Sequence, residues 1–475
     1  MSLSAAETMR YQAIGRHNIS RVPEWNRLAS DLRAVVEVVS QVLPFRANRY
    51  VLSNLIDWSR VPDDPIFQLI FPQREMLTRE QYREVEAPLR KGDKPALNRV
   101  VDRIRLDLNP HPAGQLTHNV PLLDGRPLWG VQHKYRETVL FFPFQSQTCH
   151  AYCTYCFRWA QFVGMKGLKF ASRDTKDVVA YLKVHPEVTD VLITGGDPMI
   201  MRTAMLRRYI EPFLSPELAH VQNIRIGTKA VASWPHRFVS DADADDCLRL
   251  FEEVVAKERH LAIMGHYSHP AELETAIARE AIRRIRSTGA EIRMQAPLVK
   301  HVNDDPKAWS TLWQTGVRLG LVPYYMFVER DTGARKYFEV PLVRALDIYR
   351  QAVAAVSGLS HTVQGPSMSA LPGKVRIAGT TTLRSIIGER AADALRQISG
   401  RLAEINPDRP VLVCEFIQAR DPALIRTLFF AEYDAQAAWL DQLRPAFGQR
   451  NFLFEGGYGH AADAPLRSVT ECLLN

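Results

Sequence analysis

Six short apolar runs alternate with helix-length segments between residues 138 and 327, and this alternation constrains the fold more than any other feature of the sequence. The runs begin at Thr138, Val191, Ile224, Leu261, Ile292 and Val322. Strands that alternate with helices are typical of parallel β/α units. The pattern predicts an α/β fold, an open partial (β/α)6 barrel, whose functional residues gather where the strands end.

The segments that flank this region show other patterns. Charged residues recur at helical spacing in residues 30–43 and 79–91, which predicts helices near the N-terminus. A later stretch, rich in Pro and Gly, has neither helical nor strand periodicity and is expected to pack on the barrel as a linker. The predicted organisation is a helical N-terminal region over 1–108, a linker over 109–137, the barrel over 138–374, and a C-terminal α/β extension of unknown role over 375–475.

Composition excludes several classes of protein. Of the 475 residues, 46% are hydrophobic and 24% charged, which argues against long disorder and fibrous folds. A net charge of +8 is modest for this length and identifies no partner. Six cysteines are too few for a disulfide scaffold, and the sequence has neither a signal-like start nor a run of about 20 apolar residues. We therefore expect a cytoplasmic protein without a membrane partner.

Three of the cysteines, Cys149, Cys153 and Cys156, lie directly after the first predicted strand. Three thiolates from one loop can hold three corners of a cubane iron–sulfur cluster and leave the fourth iron open. A zinc site with a fourth ligand such as His150, or buried thiols without a metal, are the alternatives. The spacing favours the cluster, since zinc loops usually contain paired Cys-x-x-Cys elements.

A second motif, Gly195-Gly196-Asp197, follows the second predicted strand. Two glycines allow the backbone to approach a ligand, and the carboxylate can accept a hydrogen bond from an ammonium or hydroxyl group. An ordinary Gly-Gly-Asp-Pro turn explains the same residues. Its place after a strand, beyond the cysteines, favours a binding role.

The Cys-x3-Cys-x2-Cys spacing, with Tyr155 before the last cysteine, resembles the signature of radical S-adenosylmethionine enzymes. The segments KYRETVL, CTYCFRW, TGGDP, IRIGTKA, HYSHP, VNDD and VPYYMF follow in the order seen in the lysine 2,3-aminomutase family, and the resemblance covers residues 55–374. It implies that the open iron chelates S-adenosylmethionine, and that Gly195, Gly196 and Asp197 hold the methionyl amine. It also implies pyridoxal phosphate carried by a lysine, for which the candidate is Lys374, although a solvated loop charge is the alternative.

The same resemblance implies roles for further residues. Arg158 would bind the substrate carboxylate, and Tyr135 and Arg136 would contact the cofactor phosphate. The nucleoside and methionine site would be lined by Thr228, His266 and Gln295. Arg158 could instead be a surface or phosphate-facing charge, and Thr228, His266 and Gln295 could be ordinary hydrogen-bonded residues of the barrel.

The resemblance implies radical migration of an amino group between the α and β carbons of a free amino acid. Arg330 and Ser367 stand where lysine-specific members of the family have acidic residues, so we expect a substrate other than lysine, such as glutamate. Two alternatives stay open at this position: Arg330 pairs with Asp331, or Glu329 takes the acidic place.

Two other functions also stay open. One is a radical enzyme without pyridoxal phosphate that modifies a peptide- or tRNA-linked substrate, and the other is an iron–sulfur regulatory or electron-transfer protein. The expected partners of the aminomutase are a flavodoxin- or ferredoxin-type reductant and a small amino acid, with no nucleic acid; homo-oligomerisation is left open.

Overall fold

The computed structural model describes residues 9–110, 119–164, 170–397 and 405–455. The chain divides into two compact units. The first comprises Met1–Val340 and Asp347–Gln364, and the second comprises Pro341–Leu346 and Gly365–Asn475.

The helices and strands are numbered here in chain order. The strands are β1 Ala13–Gly15, β2 Arg46–Asn48, β3 Leu122–Leu123, β4 Arg126–Pro127, β5 Val131–Tyr135, β6 Thr138–Phe141, β7 Asp190–Ile193, β8 Asn223–Thr228, β9 His260–His266, β10 Glu291–Leu298, β11 Val322–Val328, β12 Gln364–Ser369, β13 Gly373–Thr382, β14 Pro410–Ala419 and β15 Leu428–Glu432. The α-helices are α1 Ser30–Val42, α2 Pro65–Ile70, α3 Arg79–Lys91, α4 Lys94–Asp107, α5 Trp159–Phe162, α6 Lys176–Lys183, α7 Thr203–Ile210, α8 Ala230–Ser233, α9 Ala244–Ala256, α10 Ala276–Ser287, α11 Pro306–Arg318, α12 Arg335–Phe338, α13 Leu342–Ala354, α14 Leu383–Ile387 and α15 Glu389–Gln397.

All six predicted strands are confirmed, as β6 to β11. Neighbouring strands in this series pair in parallel, and helices lie between them along the chain. One face is fully buried, as in β8, where Ile224, Ile226 and Thr228 alternate with partly exposed residues. The carboxyl ends of six parallel strands therefore lie at one edge of the sheet, where the predicted functional residues were expected.

The N-terminal region contains the predicted helices and also a short antiparallel pair, β1 with β2. Helix α3 begins at a capping box, in which the Thr78 hydroxyl accepts from the Gln81 amide, and ends before Gly92, whose φ of 69° suits glycine. The apolar core of this region is continuous with two side chains that follow the first parallel strand, Tyr155 and Trp159. The N-terminal helices thus pack on the segment that carries the cysteines.

The predicted linker is more regular than its sequence pattern indicates. Residues 122–127 form the pair β3 and β4, and β5 adds to the parallel series by pairing antiparallel with β6. Only Val131 of β5 is buried, so backbone pairing rather than an alternating apolar pattern holds this strand. Residues 111–118 of the predicted linker lie outside the described residues.

The second unit contains an antiparallel series, in which β12, β13, β14 and β15 pair in chain order. The carboxylate of Glu415 on β14 accepts from Arg376 on β13 and from Arg426. Lys374 is the second residue of β13 and belongs to this unit, whereas the sequence pattern placed it at the end of the barrel. Within the part of the chain that the structure describes, no helix is both long and apolar enough to span a membrane.

Candidate functional site

The cysteine loop, residues 149–156, follows β6 and is held by backbone hydrogen bonds to the N-terminal region. The Tyr152 amide donates to the Arg46 carbonyl at 2.9 Å, and the Thr154 amide donates to the Leu69 carbonyl at 2.9 Å. Inside the loop, the Cys156 amide donates to the Cys153 carbonyl at 3.0 Å. The region that sequence patterns described only as helical therefore fixes the path of the loop.

Side chains of the N-terminal region hold the same loop. The Arg46 guanidinium donates to the Thr148 hydroxyl at 2.6 Å and to the Cys149 carbonyl at 3.2 Å. The Asn48 amide donates to the His150 carbonyl at 3.2 Å and to the Ser233 carbonyl at 3.0 Å. Sequence reasoning missed both residues, because a contact across about 100 positions leaves no local signal in one sequence.

The two glycines of the second motif allow close packing against the start of the cysteine loop. A Cβ atom on Gly195 would lie 2.1 Å from the Ser146 hydroxyl oxygen, and one on Gly196 would lie 2.5 Å from the Thr148 nitrogen. The Gly196 amide donates to the Ser146 carbonyl at 2.8 Å. The close approach that the glycines permit is thus made to protein atoms, the Ser146 side chain for Gly195 and the Thr148 backbone for Gly196.

The Asp197 carboxylate is buried and accepts four hydrogen bonds from the protein. Its Oδ1 accepts from the Met199 amide at 2.9 Å and the Thr228 hydroxyl at 2.7 Å, and its Oδ2 accepts from the Lys229 amide at 2.9 Å and the Ala230 amide at 3.1 Å. A carboxylate has about four acceptor sites. These are filled, so the side chain joins the ends of β7 and β8. Burial raises the pKa of Asp197, and the hydrogen bonds oppose that rise.

The three thiols of the cysteine loop lie close enough to affect one another. Burial raises the pKa of Cys153 to about 11 and that of Cys156 to about 12, and the Cys153 charge adds to the second shift. Burial also raises the pKa of Cys149 well above its usual range, together with the charges of Asp197 and the other two thiols. Metal binding needs the deprotonated thiolates, so a metal bound here would have to offset these upward shifts.

The zinc alternative depends on a fourth ligand such as His150. Within the described ranges, no group of three or more His, Cys, Asp or Glu side chains is arranged to hold a metal ion. The His150 ring is buried and lies 5.0 Å from the Tyr11 ring and 6.3 Å from the Trp234 ring, between centroids. Burial lowers the pKa of His150 to about 3, so this ring is a neutral part of the core.

Three predicted binding residues lie on the neighbouring strands β8, β9 and β10. Thr228 is the last residue of β8 and bonds to Asp197 as described. His266 ends β9, and its Nε2 accepts from the Gln295 side-chain amide at 3.0 Å. Burial lowers the pKa of His266 to about 4, with a smaller contribution from the Lys229 charge, so the imidazole is neutral at pH 7.

Arg158 lies beside the cysteine loop. Its guanidinium carbon is 4.1 Å from the centre of the Phe142 ring, and its Nη1 is buried with no hydrogen-bond partner among the described residues. Burial lowers the pKa of Arg158 to about 10, and the Cys156 and Cys149 charges oppose that shift. A buried guanidinium with an unused donor suits an anionic ligand.

Arg330 belongs to the same cluster of side chains. The Arg330 and Arg158 guanidinium carbons lie 5.4 Å and 5.7 Å from the centre of the Phe157 ring, and the charge of Arg330 lowers the pKa of Arg158. Arg330 also approaches Asp331, at 4.0 Å between Nε and Oδ1, and its side chain is 34% exposed. Burial lowers the pKa of Arg330, and the charges of Asp331, Glu329 and Tyr135 oppose the shift.

The remaining predicted residues are more scattered. Tyr135 is near enough to Arg330 to affect its pKa, whereas Arg136 is exposed in the turn between β5 and β6, at the amino ends of the parallel strands. Lys374 and Ser367 lie in the second unit, on β13 and β12. The Ser367 hydroxyl is buried and has no hydrogen-bond partner in the described part of the chain.

Relatives of this sequence are aminomutases. No family model matches the sequence. A putative L-lysine 2,3-aminomutase of Aquifex aeolicus is 31% identical over 363 residues, which are 76% of this chain and 83% of the relative. The L-lysine 2,3-aminomutase of Methanococcus maripaludis is 26% identical over 49% of this chain and 51% of its own length. The glutamate 2,3-aminomutase of Clostridioides difficile is 26% identical over 45% of this chain and 48% of its own length. The chain thus spans about half the length of these last two relatives.

Solved structures resemble the chain only weakly. The peptide-bound Streptococcus suis SuiB matches with a TM-score of 0.33 and 13% identity, over 55% of this chain and 50% of SuiB. A radical SAM methyltransferase of Sphaerobacter thermophilus matches with a TM-score of 0.33 and 13% identity, over 47% of this chain and 66% of the methyltransferase.

Proposed function

The chain belongs to the lysine 2,3-aminomutase family, a family of isomerases among the radical S-adenosylmethionine enzymes, and from this membership we propose that it moves an amino group between the α and β carbons of a free amino acid. One observation carries the proposal. Arg158, with an unused buried donor, lies beside three cysteines whose thiols share one loop at the carboxyl edge of the parallel strands. This arrangement supports a site for an anionic substrate next to a site for a cluster.

The family implies a [4Fe-4S] cluster and S-adenosylmethionine, and the residues fit both groups. Cys149, Cys153 and Cys156 would hold the cluster. The backbone at Gly195 and Gly196, together with Thr228, His266 and Gln295, would contact S-adenosylmethionine. We further propose that the six parallel β/α units form the partial barrel of this superfamily.

Pyridoxal phosphate is the second proposed cofactor, carried by Lys374. Lys374 is partly buried on β13, and the missing Cβ of Gly373 lets the strand lie close to β14, where a Cβ would be 2.4 Å from the Gln418 carbonyl oxygen. The unpartnered Ser367 hydroxyl on the neighbouring strand β12 offers a hydrogen bond to a polar ligand. Bound S-adenosylmethionine supplies a 5′-deoxyadenosyl radical and bound pyridoxal phosphate supplies an electron sink beside the reacting carbon.

Arg158 and His266 have different roles in orienting the substrate and in setting the charge of the site. Arg158 binds the α-carboxylate through its fork of donors. His266 stays neutral and fixes the Gln295 amide, so this part of the site adds no charge. Free cysteines and the oxygen sensitivity of such clusters suit a reducing compartment such as the cytoplasm, with a flavodoxin- or ferredoxin-type reductant.

We propose an acidic substrate such as glutamate. Arg158 and Arg330 flank the same Phe157 ring, and two guanidinium groups this close suit two carboxylates. A substrate ammonium near Arg330 would be repelled by about 2 kcal/mol or more at 8 Å or less with an effective dielectric constant near 20.

Lysine is the second candidate, because Glu329 is buried beside the same loop. Its side chain is only 7% exposed, and its charge raises the pKa values of Cys153 and Cys156. Burial raises the pKa of Glu329 well above its usual range, and Arg330 opposes that shift. An arriving ammonium group would stabilise the ionised form of this carboxyl.

Anaerobic reconstitution tests the class of reaction. The protein, loaded with iron and sulfide, purified with pyridoxal phosphate and reduced with dithionite, should cleave S-adenosylmethionine to 5′-deoxyadenosine, and before reduction it should show a visible cofactor band that borohydride abolishes. Deoxyadenosine without that band would support the peptide- or tRNA-directed alternative. A cluster that never cleaves S-adenosylmethionine would support an electron-transfer or regulatory protein.

A further inference from the structure

Lys229, the residue after β8, makes a buried ion pair that the proposed function does not use. Its ammonium lies 2.6 Å from the Glu272 carboxylate, and the two side chains are 11% and 2% exposed. It also donates to the Ser268 hydroxyl at 3.2 Å and to the His266 carbonyl at 3.3 Å. Burying two charges costs several kcal/mol per ion before their attraction is counted, so a pair in this position needs an explanation.

The pair is connected to the cysteine loop through two hydroxyl groups. The Tyr155 hydroxyl lies 3.0 Å from the Ser268 hydroxyl, and Tyr155 stands between Cys153 and Cys156 in the loop. The other oxygen of Glu272 accepts from the Ser268 amide at 2.5 Å and the His269 amide at 3.2 Å. We call these four residues, Tyr155, Lys229, Ser268 and Glu272, the Lys229 network.

The network is rigidly anchored at both ends. The Lys229 amide donates to Asp197, which also holds Thr228, so the lysine backbone is fixed at the end of β8. The Asn303 side-chain amide donates to the Ser268 carbonyl at 2.9 Å. A side chain held in this way keeps its charge at one distance from the loop.

The ion pair lies two hydrogen bonds from the cysteine loop. The Lys229 ammonium donates to the Ser268 hydroxyl at 3.2 Å, and that hydroxyl lies 3.0 Å from the hydroxyl of Tyr155, which stands between Cys153 and Cys156. A cluster gains a negative charge when it is reduced, and hydrogen bonds and nearby charges are among the factors that set its potential. A fixed ammonium on the cysteine side of the site therefore favours the reduced state.

We propose that Lys229 is a positioning residue for the cluster: its ammonium raises the reduction potential of the cluster bound by Cys153, and through Ser268 it fixes Tyr155 in the loop. This inference rests on the cluster of the proposed function. Glu272 partly neutralises Lys229 and so sets how far the reduction potential is raised.

Redox titration of the reconstituted full-length protein tests the proposal, with the cluster followed by electron paramagnetic resonance. Lys229→Met keeps the length of the side chain and removes its charge, so the equilibrium for cluster reduction should fall about tenfold, or 59 mV for one electron. Glu272→Gln removes the opposing charge and should shift the potential in the other direction. Lys229→Arg should restore the wild-type potential, and Lys183→Met, which breaks an exposed lysine–glutamate pair, is the matched control.

A structural role alone would not produce shifts of opposite sign from the two partners of one ion pair. Equal potentials for wild type, Lys229→Met and Glu272→Gln, with full iron content, would overturn the inference while leaving the proposed function intact. If Lys229→Met does not fold, the reduction potentials of Glu272→Gln and Lys229→Arg still test the proposal. A lower potential in Glu272→Gln than in wild type would contradict it, as would a potential in Lys229→Arg that differs from wild type by about 59 mV or more. Failure of the wild-type protein to assemble any four-iron cluster would instead refute the proposed function.

Discussion

Replacing Asp197 by Asn tests how the second motif works, because it changes one oxygen of a carboxylate that accepts four hydrogen bonds. Suppose that the amide keeps its oxygen toward the Lys229 and Ala230 amides. Its NH2 group then faces the Met199 amide, which loses its acceptor, and the Thr228 hydroxyl, which must rotate. In the opposite orientation the Lys229 amide loses its acceptor, while Ala230 keeps a bond to the Thr228 hydroxyl at 2.9 Å.

At least one buried backbone N–H is therefore left unsatisfied in either orientation, and the surviving bonds become neutral. An unsatisfied buried donor costs about 1–3 kcal/mol, and a hydrogen bond to a charged group is worth about 1.5–3 kcal/mol, so we expect a loss of about 2–4 kcal/mol in the free energy of unfolding. Urea unfolding of the reduced apoprotein, followed by tryptophan fluorescence, measures this loss. Asp102→Asn, at a side chain that is 68% exposed, is the control and should change little. An Asp197→Asn protein within 0.5 kcal/mol of wild type would refute the reasoning, since the four hydrogen bonds to this carboxylate would then contribute little to the stability of the fold.

The remaining predictions concern the cofactors and the pH dependence. Cys153→Ala should abolish four-iron cluster assembly, measured by iron and sulfide content, whereas Cys247→Ala, at a buried thiol in α9, should retain it; full deoxyadenosine formation by Cys153→Ala would contradict the assignment. Lys374→Ala should lose the borohydride-reducible cofactor but keep the cluster, and peptide mapping of the cofactor to another lysine would contradict this. The depressed pKa of His266 means that the unfolded chain binds a proton there between pH 6.5 and about 4 and the folded chain does not, so stability falls as the pH falls through this window. With these two values the loss between pH 7.5 and 5.0 is about 2 kcal/mol, and an equally steep loss in His266→Gln would show that other groups cause it.

The sequence predicted the parallel strands because each is a compact apolar run bounded by polar or turn residues. The observed β8 and β10 begin one residue before the predicted runs and end at the same residue. The strand β5 was not predicted, because it is held by hydrogen bonds to β6 and four of its five side chains are only partly buried. A pattern of hydrophobicity carries no information about a strand of that kind.

The candidate site was predictable to the extent that its residues form local motifs. The cysteine spacing and the Gly-Gly-Asp turn are contiguous, and a single sequence shows them. The contacts that position them are not contiguous: Arg46 lies 103 positions from Cys149, and Asp197 accepts from residues up to 33 positions away. The placement of Gly195 against Ser146 likewise depends on tertiary structure, so the motif was interpreted as a ligand contact when part of its role is packing.

Membership of the family does not name the substrate, and the proposal of an acidic substrate depends on the pair of arginines beside Phe157. Arg330→Gln removes the charge proposed to select an acidic side chain and leaves Arg158 to bind the α-carboxylate. We expect this variant to lose turnover of glutamate while it retains the cluster and the cofactor on Lys374. Equal turnover of glutamate by wild type and variant would contradict the role of Arg330.

Isomerisation of a free α-amino acid by this protein can be observed by nuclear magnetic resonance of the product. The anaerobically reconstituted enzyme, with S-adenosylmethionine, pyridoxal phosphate and a reductant, is incubated with carbon-13-labelled glutamate or lysine. We expect a signal from the β-amino isomer of glutamate, absent from the Lys374→Ala protein. Formation of β-lysine with no turnover of glutamate would contradict the proposed acidic substrate, and no isomer from any free amino acid, despite rapid formation of deoxyadenosine, would contradict the proposed aminomutase activity.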